Sequence, residues 1–152
     1  MRVFTSVRSL AVVMFLAIAV AVPLTAQPAA AELARGSVMI HSRVCSTTAK
    51  QLYADCHNNP GPAGATYTVD SRVPKATNAE GNVSFGQVTA GDHLITLTSG
   101  IPSTYNRIRA FCSNSVGGSG VQEATVLYSA TPQFWVRVGA GSRLTCDVYF
   151  IP

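Results

Sequence analysis

Most of this chain consists of short runs in which apolar and polar residues alternate, and turn-forming residues close each run. In 143–150, for example, Leu144, Cys146 and Val148 alternate with charged or polar neighbours. Side chains two apart lie on the same face of a β-strand, whereas a helix needs apolar residues three and four apart. No stretch after residue 31 keeps a helical stripe for three turns. The pattern therefore predicts a β-sheet protein and excludes a helical bundle.

Eight of these runs, rich in Val, Ile, Thr, Tyr and Phe, are predicted strands. They are 37–45, 65–70, 82–86, 93–98, 105–112, 121–129, 133–138 and 143–150. Clusters of Gly, Pro, Asn and Ser separate them and indicate turns. Seven or eight strands at this spacing predict an all-β fold, an antiparallel β-sandwich or a small barrel. The predicted core is Val38, Ile40, Val44, Val69, Val83, Phe85, Leu94, Ile95, Leu97, Ile108, Val126, Phe134, Val136, Leu144, Val148 and Phe150.

A secretory signal, with an N-terminal signal helix, is predicted at residues 1–31. Arg2 and Arg8 form its basic start, and the run 10–22 supplies 13 consecutive apolar residues. Small alanines follow at 29–31, as a signal peptidase requires. A retained membrane anchor is the alternative, although a membrane-spanning helix needs about 20 apolar residues.

Cleavage after Ala31 would leave residues 32–152 as one secreted domain, and a cut after Ala26 is the second choice. The chain would then contact a membrane only through the signal, before its removal. The cut also removes two arginines, so the net charge of +4 falls to +2. No cluster of Lys and Arg remains, which argues against a nucleic-acid partner. We therefore expect an extracellular location.

All four cysteines, Cys45, Cys56, Cys112 and Cys146, follow the predicted signal. An even number of cysteines in an exported domain indicates disulfides, and four cysteines allow three pairings. Cys112 and Cys146 each fall on the apolar face of an alternating strand, which predicts a core bridge between them. Cys45 and Cys56 flank a short polar segment and are predicted to close a local loop. In the chain-entropy model, each bridge adds about 2.5–4 kcal/mol of stability.

A Gly turn, a strand that ends in Phe, a short linker, a second Gly turn and an alternating strand follow one another in 77–97. The residues that carry this pattern are Gly81, Val83, Phe85, Val88, Gly91, Leu94 and Thr96. The pattern resembles the prealbumin-like (transthyretin-like) modules of bacterial surface proteins, including Cna protein B-type domains. The resemblance covers about 65–102. It implies a prealbumin-like or Ig-like antiparallel sandwich with an extracellular structural or adhesive role.

Many of those modules contain an internal isopeptide bond between a lysine and an Asn or Asp, promoted by a buried acid. Where the resemblance places that acid, this chain has Thr98. Its two lysines, Lys50 and Lys75, lie outside the apolar strand patterns. We therefore expect no isopeptide bond, and expect the disulfides to provide the covalent staples.

Residues with catalytic or metal-binding spacing are scarce. Neither HExxH nor a P-loop occurs, and the Gly-Gly-Ser-Gly of 117–120 lacks the final glycine of GxSxG. Cys56 and His57 are adjacent but no CxxC pair exists, so no metal or other cofactor is predicted. His41, His57 and His93 are far apart in sequence and are predicted at solvent-exposed strand or turn positions. We expect a protein that is not an enzyme.

A binding surface is predicted on an outer face of the sandwich. Arginines and aromatic residues alternate with the core residues of 105–112 and 133–138. If these strands were neighbours, the side chains would meet on one face, which suits a protein or glycan partner. The alternative is a solvated face with internal cation–π pairs. The candidate binding residues are Tyr105, Arg107, Arg109, Trp135 and Arg137, with Phe111, Arg143 and Tyr149 expected beside them.

The features together favour a secreted structural or adhesive module, stapled by two disulfides. A secreted inhibitor, or a carrier of a small ligand or glycan that uses loops 57–64 and 113–120, is the alternative. A small secreted hydrolase is a third hypothesis, disfavoured by the scarcity of acidic residues.

Overall fold

The computed structural model describes residues 34–101, 103–115, 120–127 and 131–152. The predicted signal helix, both cleavage sites and residues 116–119 of the loop 113–120 lie outside this part of the chain. The described residues form two sheets that enclose one core, so the predicted all-β sandwich is confirmed. No helix in this part of the chain has the length and apolar character needed to cross a membrane.

Two five-stranded sheets make up the described fold. In chain order the elements are β1 (Arg35–Val44), α1 (Leu52–Cys56), β2 (Thr66–Val69), β3 (Lys75–Ala76), β4 (Asn82–Thr89), β5 (Gly91–Ser99), β6 (Arg107–Asn114), β7 (Gln122–Ala124), β8 (Val126–Leu127), β9 (Gln133–Val138) and β10 (Arg143–Ile151). Sheet A has the strand order β4-β1-β10-β6-β7, and sheet B has the order β3-β2-β5-β9-β8. The described part of the chain has ten strands instead of the eight predicted. The two-residue strand β3 is additional, and the predicted strand 121–129 is divided into β7 and β8.

One strand pair departs from the antiparallel pattern. β1 and β10 run parallel in the middle of sheet A, in register from Ser37 opposite Arg143 to Val44 opposite Phe150. Both strands also have antiparallel partners, β4 beside β1 and β6 beside β10. The two strands are therefore covered on both edges, which protects their backbone hydrogen bonds from water.

Alternation along each strand determines which side chains are buried. In β10, Leu144, Cys146 and Val148 are buried, whereas Arg143 is exposed. The core between the sheets takes its largest side chains from both of them, Phe85 and Phe150 from sheet A and Tyr67, Ile95, Leu97 and Phe134 from sheet B. Packing of this kind is the main favourable term in the stability of the fold.

A hydrogen bond between two hydroxyls ties the sheets together inside the core. Ser42 of β1 and Tyr67 of β2 are both fully buried, and their hydroxyl oxygens lie 2.7 Å apart. Burial raises the pKa of the Tyr67 hydroxyl far above its ordinary value, although the bond to Ser42 opposes this effect. The pair therefore stays neutral, and each buried hydroxyl has a partner.

The predicted strand 121–129 is divided between the two sheets. β7 pairs with β6 in sheet A, whereas β8 pairs with β9 in sheet B. The chain passes from one sheet to the other at Thr125. A strand that changes sheets in this way closes a corner of the sandwich.

The core prediction for β5 is wrong at one residue. His93, Ile95 and Leu97 are buried, whereas Leu94 lies on the outer side of sheet B and is half-buried. His93 is therefore a buried residue and not a solvent-exposed one. Polar partners, described below, make its burial possible.

The helix α1 is a short element that the sequence pattern does not predict, because its five residues are fewer than two turns. The Asp55 carboxylate accepts hydrogen bonds from the backbone N–H groups of Lys50 and Gln51, at 2.7 and 2.9 Å. These bonds lower the pKa of Asp55 and satisfy donors that a helix start leaves free. The helix is therefore a short local turn, and the Asp55 carboxylate stabilises its start through two backbone hydrogen bonds.

Candidate functional site

Part of the outer face of sheet A, around the end of β10, is covered by the segment 45–61, which contains α1. Under this segment, Tyr149 and Ile151 of β10 are buried together with Cys45 and Cys56. Ala49, Leu52 and Phe111 pack around them. We call this region the covered face, because its apolar side chains are already enclosed by the chain itself.

Both predicted disulfides are present. Cys112 and Cys146 are directly opposite each other on β6 and β10, with their Cα atoms 4.1 Å apart. Cys45 and Cys56 are joined across 11 residues, with their Cα atoms 5.1 Å apart. The first bridge crosslinks sheet A at its core side, and the second holds the segment 45–61 over the covered face.

The candidate binding residues do not share one face. β6 and β9 belong to different sheets, so Arg107 and Arg109 lie on the outside of sheet A, and Trp135 and Arg137 on the outside of sheet B. The expectation of one continuous arginine and aromatic surface is therefore wrong. Tyr105 precedes β6 and packs on the core, with its ring centroid 5.9 Å from that of Phe150.

On sheet A, Arg109 is engaged within the protein. Its guanidinium donates to both carboxylate oxygens of Glu123, each at 2.6 Å. The same group lies 5.1 Å from the ring centroid of Phe111. Hydrogen bonding to Arg109 holds the pKa of the Glu123 carboxyl below its usual range. Arg109 therefore connects β6 to β7, as the alternative interpretation of internal cation–π pairs expects.

Tyr149 lies on the outer side of sheet A as predicted, but it is 1% exposed because the segment 45–61 covers it. Its ring packs edge-on against Phe111, with the centroids 5.9 Å apart. Burial, reinforced by the nearby Asp147 carboxylate, raises the pKa of Tyr149 to about 12. Arg143, at the start of the same strand, is exposed.

The outer face of sheet B presents Trp135, and we call it the Trp135 face. It consists of the outward residues of β5, β8 and β9, which are Asp92, Leu94, Thr96, Thr98, Leu127, Gln133, Trp135 and Arg137. None of them is buried. Trp135 is 58% exposed and Leu127 is 52% exposed. Arg137 lies 3.9 Å from Asp92, so the two charges of this face compensate each other.

A cleft of about 140 Å³ opens beside Trp135, where β9 of sheet B meets the edge strand β7 of sheet A. Its polar lining comes from Asn114, Gln122, Glu123 and Arg137. The Asn114 side chain is held in place because it donates to the Arg137 carbonyl and accepts from Ser142. The Glu123 side chain bonds to Arg109 on the outside of sheet A, whereas the Trp135 side chain lies on the outside of sheet B, so the two do not share a face.

Two histidines form contacts with carboxylates. His93 is 6% exposed, and its Nδ1 and Nε2 atoms lie 2.7 Å from an Asp70 carboxylate oxygen and from the Thr89 carbonyl oxygen. Burial opposes the ionisation of Asp70, but hydrogen bonds from His93 and from the Leu94 amide outweigh it and lower the pKa of Asp70. His41 pairs with Asp147 at 3.1 Å. No cluster of metal-ligating side chains occurs in the part of the chain that the structure describes.

The loop 57–64, one of the loops considered for ligand binding, is fixed to the sandwich. The Gly61 N–H donates to the Ser42 carbonyl at 2.9 Å, and the Val44 N–H donates to the Asn59 carbonyl at 3.2 Å. An open depression of about 360 Å³ separates this loop from the turn 79–82. Arg43 lines this depression and donates to the Glu80 carbonyl at 3.0 Å, so the Arg43 guanidinium already forms a hydrogen bond within the protein.

Comparison with known proteins does not assign the chain to a family. No protein-family model matches the chain. No curated protein matches it either. Among solved structures, the chain is similar to a bacterial adhesin from Mobiluncus mulieris that contains intramolecular disulfide, isopeptide and ester bond cross-links. The identity is 14% and the TM-score 0.42, over 76% of this chain and 41% of the adhesin chain, so this chain spans less than half of that protein.

Proposed function

We propose that the chain is a secreted, non-catalytic β-sandwich module with a structural or adhesive role outside the cell. In this proposal residues 1–31 are the secretion signal and 32–152 the exported domain. The module is of the prealbumin-like type that the pattern in 77–97 resembles. Its partner is an extracellular protein or a glycan.

The placement of the two disulfides carries the proposal. One bridge links the buried sides of β6 and β10, and the other fastens a covering segment to the opposite side of the same sheet. The chain-entropy model assigns about 4 kcal/mol to the longer loop and about 3 kcal/mol to the shorter one. Such gains persist only in an oxidising compartment, because cytosolic thiol systems reduce disulfides.

The chemistry of the described surface supports a binding role more than a catalytic one. His93 and Asp70 bond to each other and to backbone groups, and they link the turn after β2 to the start of β5. Arg109 and Glu123 are paired with each other. The Trp135 face, by contrast, leaves a large aromatic ring in contact with solvent, and exposed aromatic rings are enriched where proteins bind partners.

The test is fractionation of the producing cells with an epitope-tagged chain. We expect the tagged protein in the medium or on the cell surface, shortened at its N-terminus, with no free thiol detected by maleimide labelling. Adherence of beads coated with 32–152 to extracellular matrix and glycan surfaces then tests the adhesive role, with beads carrying the heat-denatured, reduced module as the control. A full-length chain found in the cytoplasm with free thiols would contradict the proposal.

A further inference from the structure

An open depression of about 510 Å³ lies on the outer face of sheet A, at the end where β1 and β10 begin. Every residue that lines it is charged, polar or glycine. The side chains of this lining that can form hydrogen bonds are those of Arg35, Ser37, Gln87, Ser115, Ser142 and Arg143. A lining without apolar side chains suits a polar ligand, because it offers little hydrophobic area for a ligand to bury.

Four neighbouring strands bring these side chains to the same side of sheet A. Ser37 of β1 lies opposite Arg143 of β10, and both alternate with residues that are buried in the core. Ser115 directly follows β6, and its hydroxyl oxygen accepts from the Arg143 backbone N–H at 2.9 Å. Gln87 lies on β4, at the irregularity in its pairing with β1. The four residues therefore form one row across the outer face of the sheet.

Gln87 is held at this position by two arginines. Its backbone adopts the left-handed conformation, with φ of 56°, which is uncommon for a residue other than glycine. Arg35 donates to its side-chain oxygen at 3.1 Å, and Arg72 donates to its backbone carbonyl at 2.7 Å. These contacts keep the Arg35 guanidinium at the edge of the depression.

The depression contains more hydrogen-bond donors than the described part of the protein uses. The Arg143 guanidinium and the Ser37 hydroxyl have no partner among the described residues, and Arg35 uses one of its five N–H groups for Gln87. The Ser115 hydroxyl oxygen accepts a hydrogen bond, so its own hydrogen can still be donated. Two guanidinium groups and two hydroxyls can therefore donate to a ligand.

No carboxylate of the described residues lines this depression. The nearest acid along β10 is Asp147, about 13 Å from Arg143 along an extended strand, and it pairs with His41. Three further described acids pair with cations elsewhere, Asp70 with His93, Asp92 with Arg137 and Glu123 with Arg109. The positive charges of Arg35 and Arg143 are therefore not compensated within this depression, and they attract an anion.

From these observations we infer that the depression binds the anionic group of an acidic polysaccharide, a carboxylate or a sulfate, between Arg35 and Arg143. We call it the Arg35–Arg143 site. The inference rests on the proposed adhesive role and specifies the partner of that role. The planar fork of a guanidinium presents paired N–H groups that match the paired oxygens of an oxyanion. The hydroxyls of Ser37 and Ser115 add two donors to the same group.

The next row along the outer face favours a polysaccharide over other polyanions. It consists of Ser84, Met39, Thr145 and Ser113, which are side by side in register. Hydroxyls both donate and accept, and so do the hydroxyls of a sugar. An acidic protein partner would need an apolar and aromatic centre, but Met39 is the single apolar residue of the two rows. Bound nucleic acid relies on several cations and on aromatic rings for its bases, and the two rows contain no aromatic ring.

Calorimetric titration tests the inference on the protein purified from its producing cells with both disulfides formed. The acidic probes are hexasaccharides of hyaluronan, which contains carboxylates, and of heparin, which also contains sulfates. We expect at least one of them to bind with a Kd on the order of 0.1 mM or tighter at about 50 mM salt, and more weakly at about 500 mM. Comparison of the two distinguishes the anionic groups. Maltohexaose is expected not to bind, and hexaglutamate and a single-stranded DNA hexamer are expected to bind more weakly.

Variants separate the Arg35–Arg143 site from the effect of net charge. Arg143→Gln is expected to weaken binding of the acidic probe about tenfold or more, because it removes charged hydrogen bonds. Arg143→Lys is expected to retain part of the binding, since an ammonium keeps the charge but lacks the fork. The matched control is Arg107→Gln, which removes an exposed arginine from the far end of the same face and is expected to bind normally. An unchanged melting temperature verifies that each variant is folded.

The outcomes also separate this inference from the proposed function. Three results would overturn the inference, namely no binding of either acidic glycan, tighter binding of the peptide or the DNA, and equal affinities of Arg143→Gln and Arg107→Gln. If the tagged chain were nevertheless exported, the structural role would stand without it. If the chain were cytoplasmic, the proposed function would fail whatever the protein binds.

Discussion

His93 stands between two acceptors, a carboxylate and a backbone carbonyl, each 2.7 Å from a ring nitrogen. Both ring nitrogens therefore have an oxygen within hydrogen-bonding distance, which holds the buried ring in place from two sides. Asp70 adopts a left-handed backbone conformation, with φ of 52°, which Asp and Asn tolerate better than other side chains do. The residue pair therefore fixes the turn that follows β2 to the start of β5.

Asp70→Asn is expected to make the free energy of unfolding depend less on pH in the acid range. The pKa of Asp70 is lowered in the folded chain, so the unfolded chain binds the proton more readily. The stabilisation is present above the unfolded pKa of about 3.9 and is lost as pH falls through the lower folded pKa. Denaturant unfolding of both proteins at pH values between about 2.5 and 6, on both sides of the carboxyl pKa, measures the difference in their free energies of unfolding.

Asp92→Asn is the control for that experiment, because its carboxylate is 65% exposed and lies 3.9 Å from Arg137. We expect it to keep the pH dependence of the unsubstituted protein, since exposed pairs contribute little. The same acid slope in Asp70→Asn and in the unsubstituted protein would show that Asp70 does not contribute to it.

The buried hydroxyls of Ser42 and Tyr67 permit a second test at a single contact. Ser42→Ala leaves the Tyr67 hydroxyl buried without its partner, which costs about 1–3 kcal/mol. Adding Tyr67→Phe removes that hydroxyl as well, so the double variant is expected to recover part of the loss. Chemical denaturation of the four proteins in this cycle gives the coupling, and additive losses would contradict it.

At the scale of elements, β4 is an edge strand of sheet A whose free side is covered by side chains. Arg72 donates to the carbonyls of Gly86 and Gln87, at 3.0 and 2.7 Å, and Lys75 donates to the Ser84 carbonyl at 3.0 Å. Cations at an edge strand prevent a second chain from pairing there. These two side chains also connect the edge of sheet A to the segment that contains β3.

Removal of both cations is expected to promote self-association through β4. The variant Arg72→Gln with Lys75→Gln loses the three hydrogen bonds to edge carbonyls while the β4 sequence is unchanged. Sedimentation velocity at increasing concentration is expected to detect oligomers in it. The control is Lys50→Gln with Arg107→Gln, which removes the same charge from other exposed positions, so equal association in both variants would attribute the effect to charge alone.

The sequence is informative about elements whose pattern is local and less so about their arrangement. Alternation around Cys112 and Cys146 predicts both faces of β6 and β10, and hence the bridge between them. The division at Thr125 could not be predicted, because alternation does not indicate which sheet a strand joins. The same limit explains why the predicted binding face does not form. Arg109 and Trp135 each point outward as alternation predicts, but they lie on different sheets. His93 is buried because it has two hydrogen-bond partners, Asp70 and Thr89. This arrangement is completed only when the sheets form.

At the scale of the whole molecule, the two disulfides have different tasks. The Cys112–Cys146 bridge closes a loop of 34 residues within the core, whereas Cys45–Cys56 fastens a segment that lies outside it. Loss of the first therefore acts on the whole sandwich. Loss of the second acts first on the covered face, where Tyr149 and Ile151 are buried.

Paired substitutions are expected to separate these tasks. Replacing Cys112 and Cys146 by Ala should cost about 4 kcal/mol of global stability, and replacing Cys45 and Cys56 about 3 kcal/mol at most. The second variant should in addition be cut by protease within 45–61 while its sandwich is still folded, as detected by mass spectrometry. Equal global destabilisation without local cleavage would contradict the division of tasks.

The parallel pairing of the first and last described strands has a mechanical consequence. Because β1 and β10 run in the same direction, the start of β1 and the end of β10 lie at opposite ends of the strand pair. A pull between these two points acts along the strands and loads their evenly spaced hydrogen bonds together, in shear, instead of opening them one after another. The bridge to β6 shares that load through a covalent bond. Tension along this axis must therefore break these hydrogen bonds together.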